Sequence, residues 1–283
     1  AGCKTEWKRD PDVLDTWFSS ALWPFAVFGW PPSAKATEGK PADLDRFYPT
    51  SVLSTARDII SIWVAKMVFS GLEFMGKAPF SDVIIHATIL TKDGKRMSKS
   101  LGTGIDPMTL IEKYGADALR FGLIWQAMGT QDIRWSEEHV LAGKKFANKV
   151  WNSARFVLSQ TTGEDFAAPE RIESKTGEDK KILERFEAVK KEITEQVELF
   201  DFGHALHALY DFYWHEFCDN YLEAAKKQMA DESLKTSTRL ILEQILCNSL
   251  KLLHPFMPFL TEEIWSHLPI KDKKLLMVEE WPS

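Results

Sequence analysis

The chain has 283 residues, of which 45% are hydrophobic, and its formal net charge at pH 7 is −6. This length is enough for two domains of ordinary size with buried cores. The net charge argues against a generally basic nucleic-acid binder, although a local basic face is compatible with it. No apolar run approaches the ~18–20 residues of a membrane span, and no basic-then-apolar signal segment begins the chain. We therefore expect no membrane partner.

The three cysteines are far apart in the sequence, at Cys3, Cys218 and Cys247. Their spacing matches no metal-ligand motif and no disulfide framework, so we expect no metal site in this chain. Unpaired cysteines are typical of proteins in a reducing compartment, and we therefore expect a cytoplasmic protein.

The first quarter of the chain alternates between aromatic residues and residues that favour turns. Residues 10–25 contain prolines and short side chains, which predict an irregular segment that buries its aromatic residues. Residues 31–45 are polar and rich in proline, and they predict a surface loop. Residues 47–53 then lead into a strand.

Asp58 is predicted to begin a helix that extends to about Leu72. Ile59, Trp63 and Met67 are spaced four residues apart, which places them on one face of that helix. The carboxylate of Asp58 has two alternative roles. It either caps the helix or accepts hydrogen bonds from ribose hydroxyls, because strand-to-helix junctions in parallel sheets bind nucleotides.

Residues 95–102 form a basic, hydroxyl-rich octamer between a short apolar run (83–86) and a helix start at Asp106-Pro107. This pattern predicts a mobile loop that leaves a buried strand and enters a helix. Its lysines and serines are suited to binding a polyphosphate, and the alternative is an exposed basic turn. His86, at the end of the apolar run, is either a strand-end packing residue or an adenine contact.

From Ser136 onward the sequence predicts helices alone. Ser136 followed by two glutamates is typical of a helix N-terminus. Further helices are predicted around 182–197, from 202 to 227, from 233 to 254 and from 261 to 268, with a polar linker at 160–175. The aromatic residues of the segment 202–227 are expected to lie in the core of this bundle rather than to stack on bases.

Several segments resemble the class I aminoacyl-tRNA synthetases. Arg96-Met97-Ser98-Lys99-Ser100 is similar to the Lys-Met-Ser-Lys-Ser loop of that family, with arginine at the first position. Residues 12–20 closely resemble the Asp-Val-Leu-Asp-Thr-Trp-Phe-Ser-Ser segment of its valine-specific members. Residues 55–59 resemble the Thr-Gly-x-Asp-Ile segment that lines the adenosine and amino-acid site in the family, and residues 201–214 and 253–259 resemble the anticodon-binding helical domain.

This resemblance implies an α/β fold followed by an all-α domain. Residues 1–135 would be the second half of a Rossmann-type catalytic domain with its loop at 96–100, and residues 136–283 would be an anticodon-binding helix bundle. The implied reaction is the ATP-dependent ligation of valine to tRNA(Val) through valyl-adenylate, with Mg²⁺ accompanying ATP. The protein is expected to be a monomer.

The resemblance also implies roles for individual side chains. Lys99 would stabilise charge on the departing pyrophosphate with help from Arg96, while the hydroxyls of Ser98 and Ser100 would donate to phosphate oxygens. Other residues are implied in three further sites, namely Trp17 and Trp63 in the valine pocket, Ala56, Asp58 and His86 in the nucleotide site, and Lys144, Lys145, Lys149 and Arg155 at tRNA phosphates. Solvated surface charge is the alternative for each of these four cations.

The sequence departs from the family pattern in a few places. Alanine stands at positions 56 and 87, where glycine is usual, and the added methyl groups would crowd a close approach of adenosine. No His-Ile-Gly-His motif is found, and in the family it lies on the half of the domain that precedes this region. We therefore expect a fragment that lacks that half and the editing domain. An isoleucine-specific enzyme and a non-catalytic tRNA-binding module of synthetase descent are the alternatives.

Overall fold

The structure is a computed structural model that describes residues 8–30, 41–98, 102–129, 131–161, 166 and 172–282. The chain divides into two compact units, Ala1–Ala87 and Thr88–Ser283. Among the described residues, no helix has both the length and the apolar character needed to cross a lipid bilayer.

The first unit contains a parallel pair of strands joined by a helical crossover. Its elements are α1 (Thr16–Ala26), α2 (Pro41–Phe47), β1 (Thr50–Ala56), a 3₁₀ turn (Arg57–Ile59), a π-helical turn (Ile60–Val64), α3 (Ala65–Met75) and β2 (Phe80–His86). The strand register extends from Thr50 opposite Phe80 to Ala56 opposite His86. Parallel strands need such a crossover connection, and this one is the β-α-β unit from which Rossmann-type sheets are built.

Two sequence expectations for this unit are wrong. The segment predicted to be irregular contains the regular helix α1, and Pro24 near its end removes one N–H without breaking it. Part of the predicted surface loop is the helix α2, in which proline begins the first turn, Asp43 lies in that turn and Arg46 lies in the last turn. These positions suit the helix dipole, and residues 31–40 of the predicted loop lie outside the described residues.

The strand expected to precede the basic octamer also differs from the prediction. β2 buries only Phe80, while Val83 keeps 38% of its surface exposed. Among the described residues its sheet contains only β1 and β2, and Phe80 is the one residue of β2 in the small core formed with Leu53, Val64 and Met67. The octamer instead follows a second, two-residue strand, β3 (Ile89–Leu90).

The second unit is mostly helical. Its elements are β3, α4 (Pro107–Tyr114), α5 (Ala116–Trp125), β4 (Ile133–Arg134), α6 (Glu137–Gln160), α7 (Gly177–Glu198), α8 (Phe202–Asp211), a π-helical stretch (Phe212–Tyr221), α9 (Leu222–Gln228), α10 (Lys235–Leu253), α11 (Pro258–His267) and a 3₁₀ turn (Leu276–Val278). Both predicted caps are confirmed: Asp106 accepts from the N–H of Met108 at 2.9 Å, and Ser136 accepts from the N–H of Glu138 at 3.3 Å.

One large core fills the helix bundle. The aromatic residues of the segment 202–227 belong to it as predicted, and Phe212, Tyr213 and Phe217 are almost completely buried. The core also includes Phe121 of α5, whose ring centroid lies 5.4 Å from that of Phe146 on α6. Side chains on both sides of residue 135 therefore share one core, and the boundary of the catalytic and anticodon-binding segments near 135 stays a prediction.

Helices α5 and α6 pack with their backbones unusually close together, because glycines stand at the contact. A Cβ atom at Gly122 would lie 2.8 Å from the backbone nitrogen of Val140. A Cβ atom at Gly143 would lie 2.8 Å from the carbonyl oxygen of Ala118. Real Cβ atoms do not approach so closely, so the sequence fixes how α5 lies against the bundle.

Candidate functional site

The carboxyl ends of β1 and β2 bring together the three residues predicted for the nucleotide site. Ala56 and His86 are register partners at the last position of the two strands, and Asp58 follows β1 by two residues. Ligands of open α/β sheets bind at this edge, beyond the carboxyl ends of the strands.

The surroundings of Asp58 and His86 exclude one of the two predicted roles of each residue, namely helix capping by Asp58 and strand-end packing by His86. The N-cap position of the 3₁₀ turn belongs to Ala56, and Asp58 lies inside the turn, so Asp58 is not the helix cap. His86 is exposed rather than packed, and its Nδ1 lies 3.1 Å from the carbonyl oxygen of Ala87. Both side chains are exposed to solvent at the carboxyl edge of this sheet.

The two tryptophans predicted for the amino-acid pocket line the same hollow. This open hollow has a volume of about 490 Å³ and is lined by Trp17, Ser20, Trp23, Ile59 and Trp63. Ser20 and Trp23 were not predicted to line it, whereas Ile59 lies in the segment 55–59 that the resemblance implied for the adenosine and amino-acid site. The rings of Trp23 and Trp63 are 6.5 Å apart, and the helical spacing of residues 17, 20 and 23–24 within α1 is the signal that could have found Trp23.

Pro24 explains how Trp63 is held against α1. A residue with an N–H at this position would donate to the carbonyl of Ser20, four residues earlier, but proline has no N–H. The indole Nε1–H of Trp63 donates to the Ser20 carbonyl instead, at 3.2 Å. A local feature of one helix thus provides the acceptor that orients a side chain of another.

The π-helical turn divides the face that was predicted to carry Ile59, Trp63 and Met67 together. Ile59 and Trp63 line the hollow, while Met67 is completely buried in a small core with Leu53 and Phe80. π-turns within helices change the register of the side chains that follow and often occur at functional sites. The turn therefore separates a pocket-lining segment from a core-forming one.

The base of the basic octamer is a small two-stranded sheet in the second unit, to which one isolated bridge is added. β3 pairs with β4 in parallel, and Leu90 also forms an antiparallel bridge with Arg96. Between them, residues 91–95 form a turn in which Gly94 has a φ of +77°. The Arg134 guanidinium lies 3.6 Å from where a Cβ of Gly94 would stand. The backbone of Arg96 is anchored by its bridge to Leu90, while its side chain is exposed.

Hydrogen bonds join Ser98 of the octamer to Thr103, which follows its last residue. The backbone N–H of Ser98 donates to Oγ1 of Thr103 at 3.0 Å, and the N–H of Thr103 donates to the Ser98 carbonyl at 3.1 Å. Lys99 and Ser100, which were predicted to act on the phosphates, lie outside the described residues.

The four cations predicted to contact tRNA all lie on α6, but they differ in their surroundings. Lys149 is paired with Asp219 at 2.6 Å and lies over the ring of Trp214. Nζ of Lys144 donates to the carbonyl of Lys113 at 3.1 Å. Lys145 and Arg155 are exposed and form no ion pair with any residue that the structure describes. These last two are the best placed of the four for a partner outside the chain.

The described part of the chain contains no group of three or more His, Cys, Asp or Glu side chains that could hold a metal ion. Cys218 and Cys247 are buried free thiols, and burial raises the pKa of each to about 12. Such thiols are almost wholly protonated at neutral pH and therefore have little reactivity.

Two protein families match this chain, one over its first half and one over its C-terminal helices. The family described as "tRNA synthetases class I (I, L, M and V)" matches residues 2–136, and the "Anticodon-binding domain of tRNA ligase" matches residues 179–283. This chain belongs to the class I tRNA synthetases. The predicted resemblance is thus confirmed, as is the order of an α/β segment followed by a helical one.

Among its curated relatives, this class I synthetase chain is similar to proteins named valine–tRNA ligase. It is 47% identical to that of Geobacillus kaustophilus over 278 residues and 46% identical to that of Bacillus subtilis over 279 residues. Each match covers 98% of this chain but 31% of the relative, so the chain spans about a third of their length.

Two solved structures of synthetases share the fold. A LeuRS from Agrobacterium radiobacter K84, in a ternary complex with tRNA and LeuAMS, matches 97% of this chain and 33% of its own with a TM-score of 0.76 at 21% identity. The methionyl-tRNA synthetase of Mycobacterium tuberculosis, in complex with methionyl-adenylate, matches 92% of this chain and 51% of its own with a TM-score of 0.65 at 18% identity.

Proposed function

We propose that the protein ligates valine to tRNA(Val) in two steps, by activating valine with ATP and Mg²⁺ to valyl-adenylate and then transferring it. The observation that carries this proposal is the hollow lined by Trp17 and Trp63, which opens beside the start of the crossover helix. Rigid aromatic walls exclude long side chains by steric overlap, so they suit a small branched amino acid. The valine–tRNA ligases among the relatives support the same substrate.

The nucleotide would bind at the carboxyl edge of β1 and β2. Asp58 would accept hydrogen bonds from ribose hydroxyls, a role that its exposed position supports, and His86 is exposed at the end of the neighbouring strand. Ala56 ends β1 at the position where the adenosine would approach the backbone. The family usually has glycine here, so the adenosine would have to fit beside the additional methyl group of Ala56.

The octamer supplies the charge that the first step requires. Attack of the valine carboxylate on the α-phosphate releases pyrophosphate, and negative charge accumulates on the leaving oxygen. The ammonium of Lys99 would stabilise that charge in the transition state, assisted by the guanidinium of Arg96 and by the hydroxyls of Ser98 and Ser100. Backbone bonding at Leu90 and Thr103 fixes where this loop begins and ends.

The helix bundle would bind the anticodon arm of tRNA(Val). Lys145 and Arg155 are proposed as phosphate contacts, whereas Lys144 and Lys149 would first have to leave their intramolecular partners. Binding should weaken with added salt, because phosphate contacts release counterions. We propose that the protein acts as a monomer in the cytoplasm.

The test is amino-acid discrimination by the full-length protein. Exchange of pyrophosphate into ATP should be measured with valine and with isoleucine, for the unsubstituted protein and for Trp63→Ala. Opening one wall should reduce discrimination against isoleucine by roughly 10–200-fold in kcat/KM, the range expected for one methylene. Phe69→Ala, an exposed position on α3, is the matched control and should leave the ratio unchanged.

Two results would contradict the proposal. A preference of the unsubstituted protein for isoleucine over valine would assign it to the isoleucine-specific enzymes. Absence of exchange with every amino acid, together with retained tRNA binding, would make it a non-catalytic tRNA-binding module.

A further inference from the structure

Helix α5 presents an acidic and a basic side chain, one turn apart, to the turn that joins α10 and α11. Asp117 and Arg120 are separated by three residues, so they lie on the same face of the helix. Their hydrogen-bond partners are 135 to 143 residues away in the sequence. These contacts lie inside the second compact unit, between segments matched by the two different families.

Asp117 takes the place of a missing helix cap. The N-cap residue of α11 is Met257, whose side chain has no oxygen, and Pro258 at the first helical position has no N–H. The next two N–H groups, of Phe259 and Leu260, donate to the two carboxylate oxygens of Asp117 at 3.4 and 2.6 Å. A carboxylate at this end also suits the positive end of the helix dipole.

Arg120 binds the opposite side of the same turn. Its Nη2 donates to the carbonyl of Pro255 at 2.8 Å, and its Nε donates to the carbonyl of Phe256 at 3.2 Å. Both carbonyls lie in the turn after α10, two and three residues beyond its last helical residue, Leu253. The two side chains of α5 therefore bond to the backbone on both sides of Met257.

The rest of α5 is held firmly enough for these bonds to define an orientation. Gly122 packs directly against the backbone of α6, and a Cβ at Gly203 of α8 would lie 2.4 Å from the carbonyl oxygen of Ala127, just beyond α5. His207 of α8 adds a hydrogen bond of 3.0 Å to the carbonyl of Trp125. At its other end, α5 follows α4 through Gly115, and α4 follows the octamer through the Asp106 cap.

We propose that Asp117 and Arg120 are positioning residues for tRNA: they lock the module that carries the octamer (residues 88–135) onto the terminal helix of the bundle. This inference rests on the proposed function. Valine and ATP would bind without contacting the bundle, so adenylate formation does not depend on the lock. tRNA must contact the bundle and the module at the same time. Its binding therefore weakens when the module is no longer held in one position relative to the bundle.

The experiment compares two reactions of the full-length protein. In Asp117→Ala and Arg120→Met, the Kd for tRNA and the KM for tRNA in aminoacylation should each rise about tenfold, a typical coupling between sites. Valine-dependent pyrophosphate exchange should stay within about twofold of the unsubstituted rate, because that step needs no tRNA. Asp117→Asn and Arg120→Lys, which each keep one bonding group, should restore part of the tRNA affinity.

The matched control is Lys113→Met. This substitution removes the Lys113–Glu137 ion pair at 2.8 Å, which also joins the module to α6 but is exposed to solvent on both sides. Exposed ion pairs contribute little, so tRNA affinity should be unchanged.

Several outcomes would overturn the proposal. These are unchanged tRNA affinity in Asp117→Ala and Arg120→Met, an equal loss of exchange and aminoacylation, or the same loss in Lys113→Met. If instead the proposed function is wrong, the unsubstituted protein will show no pyrophosphate exchange. The Kd of the variants for tRNA would then still test the positioning role of Asp117 and Arg120. Should Asp117→Ala not fold, Arg120→Met provides the same comparison, because it removes the other half of the contact.

Discussion

Pro24 links the conformation of a single residue to the shape of the proposed valine pocket. The carbonyl of Ser20 has lost its helical donor and accepts from Trp63, which brings the indole against α1 and beside Trp17 and Trp23. A tryptophan with its one polar atom satisfied has fewer accessible orientations. The rigidity of the proposed pocket therefore depends on a residue that does not line it.

We predict that Pro24→Ala in the full-length protein lowers discrimination between valine and isoleucine. The new N–H at residue 24 would compete for the Ser20 carbonyl, and Trp63 would lose a fixed orientation. The ratio of kcat/KM for the two amino acids should fall about tenfold, within the ~1–3 kcal/mol that such pockets provide. Pro11→Ala, in an exposed segment before α1, is the control. An unchanged ratio would show that Trp63 is held by packing alone.

Lys99 is the residue whose proposed role most needs a kinetic test. Its charge would act on the departing pyrophosphate, so Lys99→Ala should reduce kcat for exchange by ~10²–10³, as loss of one transition-state donor does. The KM for ATP should change much less, because the interaction strengthens mainly in the transition state. Lys92→Ala, in the exposed turn before the octamer, should have normal kcat. A normal kcat in Lys99→Ala would make the octamer an ordinary basic turn.

At the scale of elements, the features predicted correctly are those that depend on neighbouring residues. The caps at Asp106 and Ser136 need only a side-chain oxygen and nearby N–H groups, and both form as the sequence indicates. The order of the helices in the bundle follows from apolar spacing in the same way. Such signals lie within one or two turns of the chain.

The features that were missed depend on contacts distant in sequence. α1 contains a proline that local rules interpret as a break, but this proline is compatible with the helix because Trp63 satisfies the released carbonyl. Likewise, α11 begins without a cap of its own and obtains one from Asp117. For the candidate site, Trp17, Trp63 and the segment of Ile59 could be named from the resemblance, whereas Trp23 required the fold.

The shared core of α5 and the bundle leads to a prediction about fragments. A fragment of residues 88–283 should unfold in one cooperative transition, because it retains Phe121 between Phe146 and Tyr210. A fragment of residues 136–283 loses that ring, and removing a buried phenylalanine costs ~3–5 kcal/mol. Circular dichroism should therefore show a clearly lower Tm for the shorter fragment. Equal Tm values would mean that α5 contributes nothing to the stability of the bundle.

At the scale of the whole molecule, the proposed chemistry requires charge from more than one part of a synthetase at the same moment. Adenylate formation needs the α-phosphate held while charge on the departing pyrophosphate is neutralised. Within these 283 residues, the octamer supplies cations for the second task. The His-Ile-Gly-His motif, whose histidines contact phosphates in the family, does not occur in this sequence. The described part of the first sheet, moreover, has two strands.

We therefore predict that the 283-residue chain by itself does not catalyse valine-dependent pyrophosphate exchange. Loss of one electrostatic donor already lowers a rate by ~10²–10³, and loss of several should reduce exchange below detection. The measurement should use the isolated chain beside the full-length protein, after circular dichroism has shown that the isolated chain is helical. Retained, salt-sensitive tRNA binding by the same preparation would show that its bundle is intact. Robust exchange by the isolated chain would contradict the prediction, because it would mean that the catalytic groups all lie within these residues.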